Sequence, residues 1–349
     1  MGATVWAVEA WRGVAAWLVV WAHWAAPLGL EPRWSAYAFV GVDLFFVISG
    51  FVFAPTLLHG AAHWPAYALR RLMRIYPAYL AALAVYVLIA HQQGKPLLHL
   101  PEHVLMAHVQ SREMAFYYNP AFWSLPAEVE FYALLPLLAL ALRRTGMRGL
   151  AALLLATAAL RGALLWLADG HAQNAAYILL HHLPGMGVEF LLGTLAWRLA
   201  QYPAAQRWRS SWLAAGAAGM AATVVAYRLL QDAAPGWHNG QMGALTAACF
   251  ALVLAGCVHG QPSAALVRAV GWWAGRLSYA VYLLHMAWLP WAKALVPQAG
   301  PAVALAAATL ATLASAWALH MALEEPARQW ARRVSAAWER RQKTSVSPG

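Results

Sequence analysis

Several ionisable and hydroxyl-bearing residues interrupt long apolar runs in this chain, and their types suit anion binding or proton transfer. Arg12 and His23 stand eleven positions apart. That is three helical turns, so they share one helix face about 16 Å apart along the axis. Imidazole is the side chain that titrates nearest neutrality, and guanidinium is a planar fork for a fixed anion. Asp43 follows in the run VGVDLFFVISGF. On a chain running back through the same layer it reaches a depth comparable to His23. The spacing fits a functional set, and equally a snorkelling Arg12 with His23 and Asp43 as a buried structural pair. Arg71 and Arg74 project together from a basic stretch spanning 63–77. Paired guanidiniums bind phosphate, and contact with lipid headgroups explains them as well. Trp123-Ser124-Leu125-Pro126-Ala127-Glu128 opens a further apolar run, and Glu128 shares a face with Tyr132. Glu130 points elsewhere and reads as solvated. Ser278, Tyr282 and His285 lie on one stripe of a later run.

What must position these groups is a lipid-embedded helical bundle. The AVILMFWYC set makes up 62% of the 349 residues and charged residues only 11%. A soluble domain carries about 25% charged residues, so this chain has too little polar surface to cover itself in water. No Pro/Gly/Ser-rich linker divides it. A membrane span needs about 20 mainly apolar residues, and ten stretches qualify: 8–28, 35–58, 76–92, 122–142, 149–168, 177–199, 212–230, 241–259, 277–297 and 301–323. The even-numbered connections and the tail hold seventeen of the 24 Lys and Arg residues, the odd-numbered ones only Arg33, Lys95, Arg112 and Lys293. The positive-inside rule then puts both termini in the cytoplasm. The expected fold class is all-α, a polytopic integral membrane bundle of about ten transmembrane helices, with a transmembrane domain over 1–325 and a basic cytoplasmic tail over 326–349.

The net charge of +11 is a topogenic excess on one face, with some attraction to anionic headgroups, and no soluble basic surface exists for nucleic acid. Many of the 20 Trp, including Trp34, Trp64, Trp123, Trp212, Trp272 and Trp273, fall near span ends, as an interfacial belt requires. Cys249 and Cys257 are eight apart in one run, about 12 Å along a helix, too far for a disulfide. The first 30 residues lack a basic front and carry Arg12 and His23, so they read as a retained span rather than a cleaved signal. The segment 93–121 holds His99, Glu102, His103, His108 and Glu113 in spacings that match no recognised metal-ligand pattern. No metal site is assigned there, and the segment is expected to be a mobile outer loop.

Taken in order, these motifs resemble the acyltransferase-3 family of membrane proteins. The resemblance rests on Arg12 with ten residues before His23, on Gly41-Val42-Asp43-Leu44-Phe45-Phe46-Val47-Ile48-Ser49-Gly50-Phe51, on Arg71-x-x-Arg74 with Tyr76-Pro77, on Trp123-Ser124-Leu125-x-x-Glu128 with Phe131-Tyr132, and on Ser278-Tyr279-x-x-Tyr282-Leu283-x-His285. Any one of these is weak; five in order are specific. The chain departs from the family's pattern in two places. Val129 stands where a second acid often follows Glu128, and Gly185 opens the stretch before Glu189-Phe190 where an Arg is frequent. No hydrolase-like extracytoplasmic domain follows the tenth span, so a stand-alone membrane module is expected.

The resemblance implies an acyltransferase of the bacterial inner membrane, with acyl-CoA, usually acetyl-CoA, as donor and no permanently bound cofactor. The implied acceptor is a hydroxyl of an extracytoplasmic or lipid-linked carbohydrate, so the implied reaction is an O-acetylation and the implied process polysaccharide modification. The implied catalytic residues are His23, Asp43 and Glu128. Arg12, Arg71 and Arg74 are implied for the CoA phosphates, and Trp123, Ser124, Tyr282 and His285 for substrate. His23 would act as general base, with Asp43 fixing its tautomer if it reaches the ring; an acyl-histidine intermediate is the alternative chemistry. Two rivals remain at this point. A transporter or flippase of a glycan intermediate would line its path with the same charges, but no internal symmetry supports one. An O-acyltransferase of small molecules such as antibiotics would share the donor chemistry.

Overall fold

The computed structural model describes residues 6–30, 35–61, 63–168, 175–202, 205–230, 235–258, 260 and 263–345. Arg33 and Trp34, both used above, lie outside them. Helices and turns make up the described residues, with no β-strand among them. The chain runs through α1 (Trp6–Trp24), a 3₁₀ turn (Ala36–Val40) into α2 (Gly41–His59), then α3 (Trp64–Gln92), the short α4 (Leu100–Val104) and α5 (Arg112–Ala115), and the long α6 (Leu125–Ala168). It continues through α7 (Ala175–Leu180), α8 (Leu183–Ala200), α9 (Ala205–Leu230), α10 (Pro235–Cys257), α11 (Ala265–Ala299) and α12 (Pro301–Leu319). A π-helical turn (His320–Glu324) leads into α13 (Glu325–Ser345).

Helices overlie the apolar stretches of the sequence. Among the described residues, six helical stretches are long and apolar enough to cross a membrane: Ala36–His59, Trp64–Gln92, Pro120–Ala168, Ala175–Ala200, Arg207–Leu230 and Pro301–Gln342. The tryptophans and ionisable residues of α1 and α11 lower their mean hydropathy and keep both out of that set. Gly146 adopts φ 58° and ψ −138° inside α6. Glycine enters that region without a Cβ penalty, and α6 is therefore two helices joined at a kink among Arg143, Arg144 and Arg148. At the start of α3, the His63 ring accepts from the Ala66 N–H at 3.0 Å and Pro65 occupies the first turn, a position where its missing donor costs nothing.

Two seams of small residues set the packing. Gly13 abuts Ala274, and Gly275 abuts the Glu9 backbone. The Trp6 indole donates to the Arg268 carbonyl at 2.9 Å, and the Trp24 indole to the His285 carbonyl at 3.2 Å. From Trp6–Arg268 to Trp24–His285 the contacts advance along both helices, so α1 and α11 run side by side in the same direction. At the second seam, a Cβ on Gly50 would run into the Phe190 backbone and one on Gly193 into Val47. Small residues let helix backbones touch, which is the principal route to tight association in lipid. Around this second seam, α2, α8 and α10 share a cluster that includes Val47, Ile48, Phe51, Ala196 and Phe250.

Residues 326–345, read from the sequence as a basic tail, are helical and dock along α3. Arg70 Nη1 meets Glu339 Oε1 at 2.8 Å, Arg74 pairs with Glu324, and Ala331 and Ser335 are buried. The segment 93–121, expected as a mobile outer loop, has a packed centre. His103 and His108 are fully buried, their rings stack at 4.2 Å, and Tyr79 OH donates to the His103 carbonyl at 2.6 Å. Burial, with the neighbouring His103, pushes the His108 imidazole down to about 4.

Candidate active site

A cleft of about 730 Å³, solvent space included, opens between α1, α2, α3, the start of α6 and α11. Three guanidiniums (Arg12, Arg71 and Arg74) line it together with Ser49, Ser124, Glu128 and Tyr282. They arrive from two helices, α1 and α3, and differ in company. Arg12 Nη1 sits 3.0 Å from Glu9 Oε1, one turn back on α1. Arg74 is paired with Glu324, whose side chain has 0% exposure. Arg71 forms no ion pair among the described residues. Its guanidinium carbon lies 4.8 Å from the Phe53 ring centre and 5.9 Å from that of Tyr132, and its Nε is sealed from solvent without an acceptor. Cation–π contact offsets part of the lost hydration; an orphaned buried donor remains costly until an anion reaches it.

Glu128 takes part in this wall. Its Oε1 accepts from Ser49 Oγ at 3.0 Å and from Tyr132 OH, the residue one turn on that the sequence put on its face. Ser124 Oγ and Tyr282 OH are 2.6 Å apart, and Tyr282 OH also donates to the Ala121 carbonyl. Trp123 packs edge-on against His181, with ring centres 5.0 Å apart, and does not line the cleft. Glu130 is engaged rather than merely solvated: it accepts from the Leu183 N–H at 2.8 Å and pairs with His182. It thereby satisfies a free amide in the first turn of α8, where a negative charge is favoured.

His23 lies beyond the cleft, and its partner corrects the expectation for Asp43. His23 Nδ1 is 2.9 Å from the Val19 carbonyl and 3.2 Å from His285 Nε2, and the ring meets Phe39 edge-on. Asp43 faces the other way, against Gly243 and the Glu189 carboxyl. The reason is angular. Two residues after Asp43, about 200° around the helix, Phe45 packs edge-on to Tyr282 with ring centres 5.8 Å apart. If α2 turns Phe45 toward α11, Asp43 must point toward α8 and α10. There Arg161 Nη1 bonds Glu189 Oε1 at 2.8 Å and the Gly185 carbonyl at 2.7 Å. The cationic partner of Glu189 thus comes from α6. The sequence signal for it is an Arg within an apolar run. His320 and Glu324, a buried pair at 3.0 Å beside Arg74, also escaped that reading.

His285, expected to touch substrate, lies against His23 and does not line the cleft. Tyr282, one turn earlier on α11, joins the two halves of the site, facing the cleft and lying 6.1 Å from the His285 ring. Among the described residues, no group of three or more His, Cys, Asp or Glu side chains could hold a metal ion.

These features define a helical membrane protein with a cation-lined cleft beside a histidine pair. The chain belongs to the acyltransferase-3 family, whose model, an acyltransferase domain, matches residues 5–321. It is 29% identical over 303 residues to a protein of Komagataeibacter xylinus named "Putative membrane-bound transacylase BcsY", covering 80% of this chain and 71% of that one. No solved structure matches. The chain is therefore a multi-pass membrane protein of an acyltransferase family.

Proposed function

We propose that this protein transfers an acyl group, normally acetyl, from acyl-CoA to a hydroxyl of an extracytoplasmic or lipid-linked carbohydrate in the bacterial inner membrane. Ten crossings with both termini in the cytoplasm would give the cleft's arginines to the cytoplasmic donor and His23 to the outer half. Arg71 is the observation that carries this reading: a guanidinium without a counter-ion among the described residues, its Nε orphaned, in one cleft with Arg12 and Arg74. Three convergent guanidiniums suit a polyphosphorylated donor. His23 would accept the hydroxyl proton as the oxygen attacks the thioester carbonyl. The C–S bond then breaks, the thiolate takes the proton back from the imidazolium, and ester and free CoA result. A positioned base of this kind contributes about 10²–10⁴-fold. Glu128, Ser124 and Tyr282 border the space through which the thioester would pass.

Arg71 is a cleaner probe than Arg74, because removing Arg74 also takes an ion-pair partner from the buried Glu324. In the purified full-length protein, Arg71→Ala should weaken acetyl-CoA binding by about tenfold or more, the worth of one charge-assisted contact. Arg71→Lys should recover only part of it, having no planar fork. Unchanged affinity in the Ala variant would return this residue to headgroup contact.

A further inference from the structure

His285 has no exposed surface, and the polar atoms around it fix where its hydrogen lies. Its Nδ1 is 2.8 Å from the Tyr282 carbonyl and 3.3 Å from the Val281 carbonyl. Carbonyl oxygens only accept, so Nδ1 carries the hydrogen, and Nε2 of the neutral ring is an acceptor. That acceptor lies 3.2 Å from His23 Nδ1, which also lies 2.9 Å from the Val19 carbonyl. Both neighbours require a hydrogen on His23 Nδ1. A charged His285 would instead aim a hydrogen at His23 Nδ1 and leave the Val19 carbonyl facing a lone pair. Neutral His285 thus satisfies every contact, and His23 keeps its lone pair on Nε2. The surroundings hold this arrangement from three sides. The Trp24 indole bonds the His285 carbonyl, and Tyr86 OH and Asn119 Nδ2 bond the Leu283 carbonyl at 2.8 and 3.2 Å.

From this geometry we infer that His285 is a positioning residue, which locks His23 in the tautomer whose Nε2 is the basic atom. The inference rests on His23 being the base. Once His23 takes a proton, its Nδ1–H···Nε2 bond to His285 becomes charge-assisted and strengthens. The gain arises only as charge develops, so it belongs to turnover and not to donor binding.

Acetyl transfer from labelled acetyl-CoA, in native membrane vesicles containing the endogenous acceptor, separates the possibilities. His285→Leu should lower apparent kcat by about 10²-fold and leave KM for acetyl-CoA within about twofold. His285→Gln, whose amide oxygen can accept from His23 Nδ1, should recover at least a tenth of wild-type kcat. If the Leu variant does not accumulate, His285→Met serves the same purpose. His23→Ala, run alongside, should be inactive. Activity in His23→Ala would remove the base reading itself. An inactive His23→Ala, together with an apolar His285 variant at wild-type kcat or a Gln variant no better than Leu, would overturn the positioning role alone.

Discussion

Arg161 and Glu189 meet with side chains 5% and 0% exposed, and the Asp43 carboxyl shares their enclosure. Breaking such a pair strands a charge, at about 3–5 kcal/mol, whereas replacing both members with apolar groups is often close to neutral. Arg161→Leu should therefore lower the thermal midpoint in detergent sharply, and Arg161→Leu with Glu189→Leu should regain much of the loss. A double variant as unstable as the single would show that the two residues do not act as a pair. The cleft shows what residue-level reading can deliver. Arg12, Ser124, Glu128 and Tyr282 were singled out because polar groups are costly in lipid, Arg71 and Arg74 as a guanidinium pair suited to phosphate, and all six line one cleft. Partnerships were less legible. Asp43 was matched to His23 by depth alone, and depth says nothing about which way a side chain turns around its helix. His285 was counted with the substrate residues because sequence gives a stripe without saying which helix lies across from it.

At the scale of elements, helix existence was readable from hydropathy, and the break in α6 from Arg143, Arg144 and Arg148 around Gly146. The seams were not, because a glycine in an apolar run looks alike whether it faces a neighbour or open space. Gly50 and Gly162 make the contrast measurable. A side chain on Gly50 would collide with the Phe190 backbone, while nothing lies within 4 Å of a Cβ on Gly162. Gly50→Val should depress both accumulation in the membrane and the thermal midpoint. Gly162→Ala should be neutral or stabilise by up to about 1 kcal/mol, since Ala narrows the unfolded ensemble and suits a helix. Equal behaviour of the two would show that the α2–α8 crossing is not a tight seam. The segment 93–121 was misjudged for a related reason. Its histidines look polar in sequence, yet neutral stacked rings behave as packing groups once their N–H donors find carbonyls, as His103 does with His99 at 2.8 Å.

For the whole molecule, the unequal distribution of Lys and Arg among the connections predicts orientation. Reporter fusions after residue 110 and after residue 343 should report opposite compartments, the second cytoplasmic; a shared compartment would overturn the ten-crossing topology. In that frame, α1 carries a donor-side cation at Arg12 and the imidazole at His23, and the Gly13 seam lies between them. Gly13 stands ten residues, about 15 Å, below His23. The seam is thus a fulcrum and the rest of α1 its arm. A tilt of about 4° there would shift the ring by about 1 Å, and misplacement on that order can cost about 10²-fold in rate. Distant substitutions along the α1–α11 contact would then register at the imidazole as angular error, magnified by the length of the arm.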